Sequence, residues 1–178
     1  MDGLNEYIHT ALELGFTAAA PFDTSRLICR PDIRMLYAPD KCTSYGTNWI
    51  CPPGSGELPD RAAWLAKYSR GLLVQSKTEK IDTNDFQLLK KLAATHNQRL
   101  LRLNEIISEK YPDAFLLSTG GCELCEKCTY PDKPCRKPAL LRGSLSAHGI
   151  DVSDLCACAG MEFSFTPGIL CYVACILV

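Results

Sequence analysis

The sequence predicts an α/β (α+β) fold: a small mixed β-sheet covered by helices, with a cysteine-rich metal-binding loop. Three observations carry this. Short apolar runs alternate with amphipathic stretches of helical period. One long stripe, formed by Phe86, Leu89, Leu92, Ala93, Leu100, Leu103, Ile107 and Tyr111, has helical spacing. The last eleven residues, 168–178, are almost wholly apolar, too few to cross a bilayer as a helix and well suited to a buried strand.

The elements follow in order. Residues 5–14 place Tyr7, Ile8, Ala11 and Leu12 on one face, and Gly15 stops the helix. Residues 16–22 read as a strand. Residues 25–37 read as a helix broken near Pro31, and 38–56 as irregular chain rich in Pro, Gly, Ser and Thr. Pro59 opens a helix carrying Ala62, Trp64, Leu65 and Tyr68. Residues 71–76 form a strand. Asp82 or Thr83 caps the long helix, which Pro112 ends. Residues 114–117 form a strand that leads into the cysteine motif. A helix is expected over 138–148, stopped by Gly149, then a short helix over 153–160 and the final strand over 169–178. No repeat, low-complexity linker or second unit interrupts the pattern, so one domain is expected over 1–178.

Composition narrows the function classes. The chain of 178 residues has a net charge of −1, which implies no basic surface for nucleic acid. It carries 11 cysteines, yet its first residues show neither a basic region nor an apolar run of the kind that directs export. Many cysteines without an export signal predict a reducing, cytoplasmic setting and metal or redox chemistry, with no membrane span.

The sharpest motif is Gly120-Gly121-Cys122-Glu123-Leu124-Cys125-Glu126-Lys127-Cys128, with Cys135 following. Three cysteines at spacing three let a backbone curl around three corners of a compact cubane cluster. The glycines permit close approach and leave N–H groups free for the cluster sulfurs. At about 3.3 Å of reach per residue, the loop after Cys128 can return Cys135 to the fourth corner. Pro131 and Pro134 stiffen that loop, and Arg136 and Lys137 place positive charge beside its thiol. The ligand set expected is Cys122, Cys125, Cys128 and Cys135, holding a 4Fe–4S cluster. Zinc is the competing metal, although zinc modules usually separate their CxxC pairs. Cys51, Cys156 and Cys158 are rivals of Cys135 for the fourth position.

Cys42 and Cys51 flank Tyr45, Gly46 and Trp49, and are candidates for a second metal site or redox pair. The plainer reading is a packed loop with buried thiols. Cys156 and Cys158, at i and i+2, would leave a helix on different faces. Cys171 and Cys175 sit in the apolar run and read as core. His9, His96 and His148 are dispersed, and His96 lies on the stripe side of the long helix as a core or boundary residue. No catalytic triad, carboxylate pair or phosphate loop is visible.

Four segments together resemble one prokaryotic family. They are Cys42-x-x-Tyr45-Gly46-x-x-Trp49-x-Cys51-Pro52-Pro53, Gly121-Cys122-x-x-Cys125-x-x-Cys128, Pro134-Cys135-Arg136-x-Pro138, and Ser146-Ala147-x-Gly149-Ile150-Asp151-Val152. The family is that of "predicted metal-binding proteins", a domain of unknown function. The resemblance implies a small cytoplasmic metalloprotein of the iron–sulfur kind, common in anaerobic metabolism, and no particular reaction. Where that pattern carries further cysteines, this chain has Tyr37 and Ser55, which weakens the case for a second cluster at Cys42 and Cys51. Three functions are then open: an electron-transfer or redox-accessory protein that docks on an unidentified redox partner, a zinc-stabilised binding module, and an iron–sulfur-dependent reductase with its substrate near Trp49 and Tyr45.

Overall fold

In the computed structural model, residues 3–36, 38, 42–122, 124–164 and 166–178 are described. Tyr37 lies outside them. The elements run α1 (Glu6–Glu13), β1 (Ala18–Asp23), α2 (Pro31–Met35), α3 (Leu58–Leu65), β2 (Arg70–Glu79), α4 (Phe86–Ser108), β3 (Phe115–Ser118), β4 (Gly143–Ser144), α5 (Val152–Cys158) and β5 (Ile169–Leu177). The five strands form one mixed sheet in the order β1-β2-β5-β3-β4. All neighbours are antiparallel except β3 and β4.

The C-terminal strand is central, as its continuous apolar character predicts. Alternate residues enter two different cores. Val173, Cys175 and Leu177 pack with Leu73, Leu117, Leu145, Ile150 and Leu155 on one face. Ala174 and Ile176 pack with Leu72, Val74, Leu100, Leu103 and Ile107 on the other, beneath α4 and α1. Cys156 joins the first core while Cys158 is exposed, the divergence expected of an i, i+2 pair on a helix. Among the described residues, no helix is long and apolar enough to cross a membrane.

The structure corrects several local expectations. The cap of α4 is Asp85, whose carboxylate accepts from the Leu88 N–H at 3.0 Å; Asp82 instead accepts from Asn84. Of the stripe, Leu100, Leu103 and Ile107 are buried, while Phe86 at the start of α4 is 82% exposed. Pro31 opens a helix where a break was expected. The segment 138–148 is no helix. It forms a 3₁₀ turn (Pro138–Leu140), then β4, then a second 3₁₀ turn (Ser146–His148). Pairing of Gly143 and Ser144 with Leu117 and Ser118 wins over helix propensity there.

Gly149 ends that segment with φ +71°, a left-handed conformation. A Cβ at this position would lie 2.5 Å from the Arg30 carbonyl oxygen and 2.9 Å from its nitrogen. The same strands of backbone are joined by the Arg30 N–H donating to the Gly149 oxygen at 2.8 Å. Gly149→Ala is therefore expected to cost about 3 kcal/mol, from the positive φ and the lost approach together. A urea-unfolding midpoint unchanged by the substitution would contradict this close packing.

Candidate metal centre

The cysteine motif occupies the connection between β3 and β4. Ser118 closes β3, and Gly120, at φ +79°, turns the chain out of the sheet toward Cys122. Cys122, Cys125, Cys128 and Cys135 all line one small cavity of about 20 Å³, together with Trp49, Leu124, Thr129, Arg136 and Leu141. Among the described residues, no imidazole or carboxylate shares that lining. Burial pushes the Cys122 thiol up, and Cys128, Cys135 and Cys125 add to the shift, so all four are within mutual electrostatic reach of Cys122.

The loop is held by its own cations. Arg136 donates from Nη2 to the Lys127 carbonyl at 2.9 Å, and Lys137 donates from Nζ to the Leu124 carbonyl at 2.9 Å. The Lys137 backbone N–H reaches the Cys135 sulfur at 3.4 Å. Thr129 donates to the Pro134 carbonyl at 2.9 Å and closes the turn between Cys128 and Cys135.

The second cysteine region packs on the first. A Cβ on Gly121 would lie 2.8 Å from Ser44 Oγ, so the glycine lets the two loops meet. Trp49 stands edge to face on Tyr130, with ring centroids 4.9 Å apart. Cys51 is buried, and its thiol is raised by burial first, with Cys42 and Cys122 contributing. Cys42, Cys51 and Cys122 are thus electrostatic neighbours, although neither Cys42 nor Cys51 lines the four-cysteine cavity. Of the rivals to Cys135, Cys156 is buried in the sheet core beside Cys171 and Cys158 is exposed on α5.

Sequence reasoning missed Asn48. It is 5% exposed, and its Oδ1 accepts from the N–H groups of Ile50 and Cys51 at 3.1 and 3.0 Å. An asparagine in a turn between Gly46 and Trp49 was the available signal, since its side chain can satisfy backbone two or three residues ahead.

The donor set fits a soft metal centre. Four thiols, with no imidazole or carboxylate among the described lining residues, suit zinc or an iron–sulfur cluster and disfavour magnesium or calcium. As the side chains lie, no three His, Cys, Asp or Glu among the described residues converge at metal-binding distances. A family model described as "Predicted metal-binding protein (DUF2284)" matches residues 20–178. No curated protein and no solved structure matches the chain.

Proposed function

The chain belongs to the predicted metal-binding protein family, and from that premise we propose that Cys122, Cys125, Cys128 and Cys135 hold one 4Fe–4S cluster in a single domain over 1–178. The function proposed is electron transfer, or redox accessory work, for a protein partner in the cytoplasm. The observation that carries the reading is the shared lining: every cysteine of the motif, and no other cysteine, lines one cavity. The equal spacing of the first three ligands supports a cubane over a zinc knuckle.

When bound, such a cluster accepts and releases single electrons. The chain's residues would set how readily it does so. Arg136 and Lys137 oppose the negative charge of four thiolates. The Lys137 N–H, already directed to the Cys135 sulfur, stabilises charge there. Trp49 and Leu141 cover part of the site and lower the local dielectric.

Zinc is the second reading, favoured by the small size of the cavity, about 20 Å³, which suits a single ion. An iron–sulfur-dependent reductase is the third. Metal and sulfide analysis of chain purified without oxygen separates the first reading from the second. The proposal expects a brown protein with about four iron and four sulfide per chain. A colourless protein holding one zinc would replace it with the structural module. About eight iron would give Cys42 and Cys51 a second cluster.

A further inference from the structure

A larger cavity, of about 380 Å³, adjoins the cysteines, and the two spaces share Trp49 and Leu141 as walls. Its volume is that of a small-molecule site. Arg61 and Arg142 line it, and among the described residues no aspartate or glutamate does. Three lining residues hold buried polar atoms without a hydrogen-bond partner among the described residues: Trp49 Nε1, Ser55 Oγ and Arg61 Nε. Ser55 is only 6% exposed.

An indole N–H and a guanidinium N–H can only donate, and a serine hydroxyl can donate. Each such group is left dry and unpaired, and an acceptor brought against it would satisfy it. Donors, positive charge and the absence of carboxylates together select an oxyanion. The rest of the wall is flat and apolar. Trp64 and Phe115 meet edge to face there, with ring centroids 4.3 Å apart. His148 shares the lining, and burial and the charges of Arg61 and Arg34 push its pKa down to about 4, so it is neutral at pH 7 and adds no competing charge.

We propose that this cavity binds a small organic oxyanion on a flat apolar body, the oxyanion held by Arg61, Ser55 and Trp49 and the body laid against Trp64 and Phe115. The ligand would sit one indole away from the four thiols. The site does not depend on which metal those thiols hold.

The chain contains two tryptophans, Trp49 and Trp64, and both line the cavity, so its intrinsic fluorescence reports on this space. The full chain, as purified, is titrated with benzoate, phenyl phosphate, inorganic phosphate and benzyl alcohol, followed by fluorescence and calorimetry. Benzoate or phenyl phosphate should bind saturably, and the tighter of the two tells carboxylate from phosphate. Benzyl alcohol and inorganic phosphate should each bind at least about tenfold more weakly, lacking the charge or the body. Arg61→Gln should weaken the oxyanion about tenfold and leave benzyl alcohol unchanged. Ser55→Ala, which removes one hydroxyl and keeps the backbone, should weaken it about threefold with the metal content unaltered. The proposal is overturned if neither oxyanion saturates by about 10 mM, or if benzyl alcohol or inorganic phosphate binds as tightly. Unchanged affinity in folded Arg61→Gln overturns it as well; should that variant not fold, unchanged affinity in Ser55→Ala does the same.

Discussion

Replacing Cys125 by serine is expected to leave the purified chain with almost no bound metal. A serine hydroxyl stays protonated at neutral pH and is a hard donor, whereas zinc and iron–sulfur clusters are held by soft thiolate. Among the described residues the cavity has no spare ligand to take its place, since their lining offers four thiols and neither imidazole nor carboxylate. Cys125 also lies in a stretch with no regular structure, held by the side chains of Arg136 and Lys137, so three remaining thiolates must order that loop without the fourth bond. Iron per chain should fall from about four to below one, with the visible absorbance lost in parallel. Cys158→Ser, on the exposed face of α5, and Cys171→Ser, on β5, should keep the full metal content. Metal retained in Cys125→Ser, or lost in Cys171→Ser, would sink the assignment. The same assay on Cys135→Ser and Cys51→Ser decides the fourth ligand, because Cys51 is the rival that lies near Cys122.

The four cysteines grouped by spacing line one cavity, and three of them are local in the chain. What spacing could not convey is that residues 42–56 fold against them. That contact depends on Gly121 meeting Ser44 and on Trp49 meeting Tyr130, pairs separated by about eighty residues and marked by no periodicity. The larger cavity was equally invisible, since Ser55 and Arg61 come from one stretch of chain and Phe115 and His148 from two others. The sheet was easier. A strand buried on both faces needs an unbroken apolar run, and residues 71–74 and 169–177 supply two that pair directly. The errors lay where tertiary contact overrides local preference. Residues 138–148 contain good helix formers, yet β4 pairs with β3 inside that span. The cap of α4 was misplaced because Asp82, Thr83, Asn84 and Asp85 all suit the position, and only the hydrogen bond to Leu88 N–H selects Asp85.

Acidification from pH 7 to pH 4 is expected to destabilise the fold through two histidines that are buried neutral. His96, on α4, is fully buried, its Nδ1 2.9 Å from Ser76 Oγ, with Phe16 and Tyr172 against its ring. Burial, assisted by Arg99, pushes its pKa down to about 4. His148 donates from Nδ1 to the Ser144 carbonyl at 2.7 Å, and burial pushes its pKa to about 4 as well. An unfolded histidine titrates near 6.5. Between pH 6.5 and 4 the unfolded chain therefore binds more protons than the folded one, and stability falls as pH falls. The contribution of each histidine is complete above about pH 6.5 and is lost by about pH 4, roughly 3 kcal/mol apiece. Protonation of thiolate ligands acts in the same direction when metal is present, so the informative quantity is a difference between variants. His96→Gln should lower stability at pH 7 by breaking the contact with Ser76 and the packing on Phe16, yet flatten its fall toward pH 4 by about half. Urea-unfolding midpoints taken at half-unit steps from pH 7 to 4 check both statements. A wild-type midpoint level across that window, or a slope left intact in His96→Gln, would show that the buried imidazoles do not govern acid stability.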